Sequence, residues 1–287
     1  MSTVEASVRD RDAGARRRPF ALLGSELATV FRRWRTIVML VALALVPVLI
    51  GVAVRLTGAG SRGRGPAFLS QITDNGLFIV FTAITISIPL FLPLTVAVVA
   101  GDSIAGEANF GTLRYLLIAP VGRVRLLVVK FVTACAFVIA AVLAIVVGGV
   151  AAGSALFPVG PVTLLSGDTV SLGEAFIRIL LLAGYAAVSL LGLCAIGLFI
   201  STLTSLPVGA IAATVVIAGV SQVLDQLPQF DLIHPYLPTH PWLSFGDLLR
   251  SPILFDSFGQ NLVLQLAYVA IFGSFAIARF TTKDILN

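Results

Sequence analysis

The residues able to do chemistry are few. His234 and His240 share a proline-broken stretch with Asp225, Asp231 and Asp247, and a polar active site outside the membrane would draw on these side chains. Imidazole and carboxylate are the usual zinc and acid–base groups, but a metal centre needs several converging ligands, and no third ligand stands at a suitable spacing. Packing at a membrane interface is the expectation for both histidines. Cys135 and Cys194 lie inside apolar runs. They read as small buried residues, with a disulfide left open. No Gly-x-x-x-x-Gly-Lys-Ser/Thr phosphate loop occurs, so any ATP hydrolysis must come from another polypeptide.

The elements that must position these residues are apolar. Hydrophobic residues make up 58% of the 287, and only 11% are charged, against about 25% in soluble domains. The apolar residues come in unbroken runs, which makes lipid the solvent. A crossing takes roughly 20 apolar residues. Thr36–Val54, Leu77–Ala100 and Phe131–Leu156 meet that length. From Ile179 to Leu224 no charge occurs, which is too long for one crossing, and the stretch Ser201 to Pro207 divides it into two. Asn261–Ala278 is the last span. The expected fold class is therefore an all-α integral membrane protein with six transmembrane helices. Pro47, Pro89 and Pro93 can kink spans and free carbonyls, and Gly149-x-x-x-Gly153 permits close helix approach. No ionisable residue lies deep in these spans, unlike most ion-coupled carriers and intramembrane hydrolases.

Six spans put both termini on one side. Placing them in the cytoplasm puts 14 of the 19 Lys and Arg residues inside, as the positive-inside rule requires. Charge clustered at span ends also argues against a nucleic-acid partner, which would need a basic stripe on a soluble face. Residues 1–18 read as a disordered cytoplasmic arm, and residues 19–287 as one six-span domain. Arg17-Arg18 faintly resembles an export signal, but Glu26, Arg32, Arg33 and Arg35 intervene before a full-length span. Within 19–35, Phe20, Leu23, Leu27, Val30, Phe31 and Trp34 recur at helical spacing, predicting an amphipathic elbow helix flat on the inner leaflet. A frayed basic arm is the plainer alternative.

Between the second and third spans, residues 101–125 hold the most informative segment. Thr112 can cap a two-turn helix, Leu113, Leu116 and Leu117 fall on one face, and Pro120 ends it. Those leucines need burial, in a partner's groove or against the chain's own bundle. Arg123 and Arg125 open the third helix, where the dipole disfavours positive charge; lipid phosphates or carboxylates such as Glu107 would offset that. On the outer side, the loop 225–259 is apolar yet broken by Pro228, Pro235, Pro238, Pro241 and Pro252. It predicts short helices, including Trp242, dipping into the interface.

Glu107, Gly111-Thr112-Leu113, Leu116-Leu117, Pro120-Val121-Gly122-Arg123, Leu126-Leu127 and Lys130 resemble a signature of the membrane subunits of ATP-binding-cassette transporters, in the type-two exporter subgroup. The motif covers residues 101–130, and the six-span layout with an elbow matches throughout. Ala108-Asn109-Phe110 lacks the charges often found after the glutamate, and Gly122 stands where serine is more usual. The resemblance implies a coupling helix, carried by Glu107, Gly111, Thr112, Leu113, Arg114, Leu116, Leu117, Pro120 and Arg123, seated in a separate ATPase subunit that binds ATP and Mg. It implies a second permease copy or homologue, gate helices in the 225–259 loop, a cell (plasma or inner) membrane location, and no catalysis or cofactor in this chain. The charge-free walls suit an amphipathic or lipid-like substrate. An ATP-independent carrier or channel, or a membrane enzyme or assembly scaffold, are the rival readings.

Overall fold

In hydrocarbon no water is present to satisfy backbone N–H and C=O groups, so an apolar run must pair them within itself as helix. The computed structural model describes residues 21–57, 67–111, 122–163 and 168–282, and these are almost entirely helical. In chain order they form α1 (Ala21–Arg32), α2 (Trp34–Thr57), α3 (Ala67–Asp74), α4 (Phe78–Ser87), α5 (Phe91–Asn109) and α6 (Arg123–Leu156). A two-residue antiparallel ribbon, β1 (Val162–Thr163) with β2 (Thr169–Val170), follows, with Val162 opposite Val170. Then come α7 (Leu172–Ser189), α8 (Leu191–Leu203), α9 (Pro207–Asp225), three short 3-10 helices and α10 (Asp256–Thr282).

Six of these units are long and apolar enough to cross a membrane: α2, α5, α6, α7 with α8, α9 and α10. The six-span, all-helical architecture expected from the charge-free runs is what the structure holds. The boundaries differ instructively. Leu77–Ala100 is not one helix: the chain breaks at Ile88–Leu90 between α4 and α5, and α5 runs on to Asn109. Pro89 lies in the break, and its carbonyl accepts from Gln222 Nε2 of α9 at 2.8 Å, as expected of a carbonyl released near proline. The third, fourth and sixth spans also begin earlier than the apolar runs do, at Arg123, Leu172 and Asp256. Charged residues taken as span ends are instead paired within the bundle.

The main core gathers α4, α5, α6 and α7 around Ile79, Ile84, Leu92, Phe137, Ile145 and Tyr185, all fully buried. A smaller cluster of Ile104, Leu126, Leu127, Leu198, Ala276 and Phe280 lies toward the end of the bundle that carries α1. Glycines let α6 press against its neighbours. A β-carbon on Gly148 would overlap the Ala44 carbonyl of α2, and one on Gly153 would overlap the carbonyl of Gly76. Large apolar side chains such as Leu49, Val208 and Val263 stay 66%, 78% and 69% exposed. A soluble monomer would not leave so much apolar surface bare.

Candidate coupling site

The site is the end of the bundle where α5 leaves toward residue 111 and α6 returns from residue 122. Gly111 ends α5 with φ +68°, a left-handed conformation that a side chain at this position would strain. Thr112, Leu113, Arg114, Leu116, Leu117 and Pro120 fall outside the described residues. Glu107, Gly111 and Arg123, which frame them, are described.

Lys130, one helical stretch into α6, is the electrostatic centre. Its side chain is 4% exposed, and its Nζ donates to Glu26 Oε2 of α1 at 3.1 Å and to Glu107 of α5. A buried ammonium is tolerable only when paired and hydrogen-bonded. Here carboxylates from two other helices meet it. A second pairing lies alongside: Arg33 Nη1 donates to Asp102 Oδ2 at 3.0 Å, and Arg35 Nη2 donates to the same oxygen. Asp102 is 9% exposed at its side chain. The observed helices run past the apolar runs and so carry ionisable groups into the bundle without placing them deep in a span. Asp102, Lys130 and, at the opposite end, Arg178 are buried within spanning helices, but close to their ends and each with an ionic partner.

Arg123 draws on the end of another helix: its guanidinium donates to the carbonyls of Phe280 at 3.3 Å and Thr281 at 2.9 Å. These belong to the last turn of α10, where free carbonyls and the dipole favour a cation. The unfavourable charge at the start of α6 is offset by the favourable end of another helix.

The serine-threonine stretch after α8 contributes one more link. Ser201 Oγ donates to Gly101 O at 2.7 Å and accepts from Ile104 N at 3.0 Å and Ala105 N at 2.9 Å. The hydroxyl therefore sits in the α5 hydrogen-bond ladder, one residue from Asp102. Nothing in the pattern of apolar runs indicates this contact, because a serine within the divide of a charge-free run reads only as part of a turn.

In α1, Leu23, Leu27, Val30 and Phe31 form the half-buried stripe, and Val30 and Phe31 pack on the main core. Phe20 lies outside the described residues. Trp34 leaves the stripe: the chain bends at Arg33, and Trp34 opens α2 with its ring 76% exposed. Glu26, which the apolar stripe did not single out, lies on the same inward face.

At the opposite end, the loop 225–259 coils into 3-10 helices at Pro228–Phe230, His234–Tyr236 and His240–Leu249. Pro228 and Pro235 are exposed, Pro238 is buried, and Trp242 is 2% exposed. Trp242 is thus buried inside the bundle, against the junction of α7 and α8. The cause is a break at Leu190 between α7 and α8, which leaves backbone groups without helical partners. Trp242 Nε1 donates to Ser189 O at 2.8 Å, Gly192 N donates to Gln265 Oε1 at 3.1 Å, and Gln265 Nε2 donates to Pro238 O at 2.9 Å. Arg178 pins the end of the loop, donating to Leu248 O and Arg250 O at 2.8 Å each. His234 and His240 stack at 6.1 Å, with His240 Nδ1 at 2.6 Å from Asp225 Oδ1. Among the described residues no cluster of three or more metal-ligating side chains occurs. Cys135 and Cys194 are free thiols.

No curated protein matches the chain. A family model, described as ABC-2 family transporter protein, matches residues 22–221, a stretch running from α1 through α9 and including the segment between α5 and α6. With six apolar helices around that segment, the chain belongs to the ABC-2 family of transporter proteins and is a multi-pass permease subunit.

Proposed function

We propose that this permease subunit works with an ATP-binding-cassette ATPase and a second permease copy or homologue to export an amphipathic or lipid-like substrate. In this reading ATP and Mg are held by the ATPase, and this chain does no catalysis. The chain sits in the plasma or inner membrane with both termini in the cytoplasm. The segment with Thr112, Leu113, Arg114, Leu116, Leu117 and Pro120 is a helix seated in an ATPase groove.

The observation that carries the reading is the mechanical tying of both ends of that segment. On the α5 side Glu107 and Asp102 join α1, α2 and α6; on the α6 side Arg123 joins α10. A displacement at residues 111–122 would therefore load most of the bundle. The cargo class is supported by an apolar cavity of about 280 Å³ between α4 and the longest 3-10 helix, lined by Phe78, Phe81, Thr85, Leu243 and Phe245. Ligand sites are mostly apolar cavities of this order.

The test replaces Gly111 and Leu116 with Asp in the purified complex and measures cargo-stimulated ATP hydrolysis. Loss of stimulation with basal hydrolysis intact is the expected outcome; unchanged stimulation overturns the coupling role. Transport by this chain reconstituted alone would support an ATP-independent carrier instead.

A further inference from the structure

Arg33 and Arg35 stand at the corner between α1 and α2, and both reach one atom, Asp102 Oδ2. A guanidinium has five N–H donors in a planar fork. Each arginine spends one on Asp102, and Arg33 also feels the charge of Glu107 across the cleft that they share. The two side chains are 43% and 42% exposed, whereas Asp102 is 9% exposed. The carboxylate thus holds the two cations from behind while their remaining donors face outward. Arg33, Arg35 and Lys130 face Glu26, Asp102 and Glu107 around one cleft, and exposed Arg32 adds a further positive charge beside it.

The surroundings fix what kind of anion fits. Trp34, between the two arginines, is 76% exposed, and tryptophan favours the depth of lipid headgroups. Below it on α2, Val38, Val41, Leu45 and Leu49 are exposed at helical spacing, forming an apolar stripe that leads away from the arginine pair. A soluble phosphate would use the donors and ignore the stripe; a phospholipid uses both. Phosphate oxygens suit the bidentate geometry of arginine, and the positive charge that exposed Arg32 adds beside the pair favours a headgroup carrying net negative charge.

We infer that Arg33 and Arg35, which share the Asp102 carboxylate, form a binding site for the phosphate of an anionic phospholipid, whose acyl chain lies along the exposed stripe of α2. The site does not depend on the coupling reading. Because Asp102 belongs to the helix that ends at Gly111, an occupied site also steadies α5 at its exit from the membrane.

The test uses the full chain purified in detergent and native mass spectrometry with phosphatidylglycerol or phosphatidylcholine of matched acyl chains. Wild-type protein retains phosphatidylglycerol preferentially. At about one surface arginine's contribution each, the R33Q/R35Q double variant binds it about thirty-fold more weakly. R279Q, which removes an exposed arginine at the end of α10, leaves binding unchanged. D102N frees both guanidiniums and binds at least as tightly as wild type. Equal retention of the two lipids, or wild-type affinity in R33Q/R35Q, overturns the site. Displacement of phosphatidylglycerol by inorganic phosphate, beyond that by chloride at equal ionic strength, assigns the fork to soluble phosphate and overturns the lipid reading. Should R33Q/R35Q fail to elute as folded protein on size exclusion, D102N decides: weaker lipid binding there overturns the inference.

Discussion

Lys130→Met preserves most of the side-chain volume in α6 and removes the ammonium shared by Glu26 and Glu107. The lysine side chain is 4% exposed, and the two glutamates are 14% and 16% exposed. Breaking a buried ion pair costs about 3–5 kcal/mol. Slight hydration of both acids places this case near the lower end, at about 3 kcal/mol. Each kcal/mol moves the midpoint of a domain of about 150–250 residues by about 2–4 °C. The expected fall in Tm is therefore about 6–12 °C, measured by intrinsic fluorescence on the purified chain in detergent. The triple variant K130M/E26Q/E107Q should recover most of the loss, because removing all the charges together also removes their desolvation cost. A K130M protein melting within about 2 °C of wild type would refute the argument that these charges depend on one another.

Two further outcomes follow from contacts elsewhere in the bundle. Gly153→Val places a β-carbon on the Gly76 carbonyl, forcing α6 off the turn before α4. Overpacking of this kind costs about 1–3 kcal/mol or more, and Tm should fall by several degrees, less for Gly153→Ala. Gln265→Leu strips partners from the Gly192 N–H and the Pro238 carbonyl, both satisfied by its amide, at about 1–3 kcal/mol for each buried group left unmet. Limited proteolysis should then cut the 228–249 loop faster, and an unchanged cleavage rate would show that the amide does not hold the loop.

The six crossings were legible because lipid imposes a harsh rule: long charge-free runs have few alternatives to spanning helix. The same rule, applied to ends, misplaced them. By their charge Lys130 and Arg178 mark the polar edges of spans, yet both are buried inside longer helices. A single sequence shows a charge but not the partner that makes it tolerable, and Glu26 and Glu174 come from another helix and the preceding turn respectively. The burial of Trp242 was not legible for a related reason. Its apolar surface and indole N–H suit the interface and a protein core equally well; the break at Leu190 decided between them by presenting the Ser189 carbonyl. A proline such as Pro89 signals free carbonyls, but that Gln222 supplies the amide depends on how α9 lies against α5.

These buried polar links bear on how the permease can move. Separating α1 from α6 exposes Lys130 and Glu26 to each other's loss, and separating α1 and α2 from α5 strips Asp102 of both arginines. Either separation costs far more than sliding apolar surfaces past one another in lipid, where a leucine meets hydrocarbon before and after the move. The elbow, the cytoplasm-proposed end of α5 and the start of α6 should therefore travel as one body. Within α5 the weak point lies at Gly101, where Ser201 occupies the ladder in place of an uninterrupted run of backbone bonds. There the glycine also lets the α9 backbone approach, with Ile211 N only 3.0 Å from where a β-carbon would stand. A push at residues 111–122 is thus expected to turn the charged end of the bundle as a unit, bending α5 at Gly101. It would reach the outer half through α8 and α9, which touch that hinge, rather than through the α4–α5 break alone.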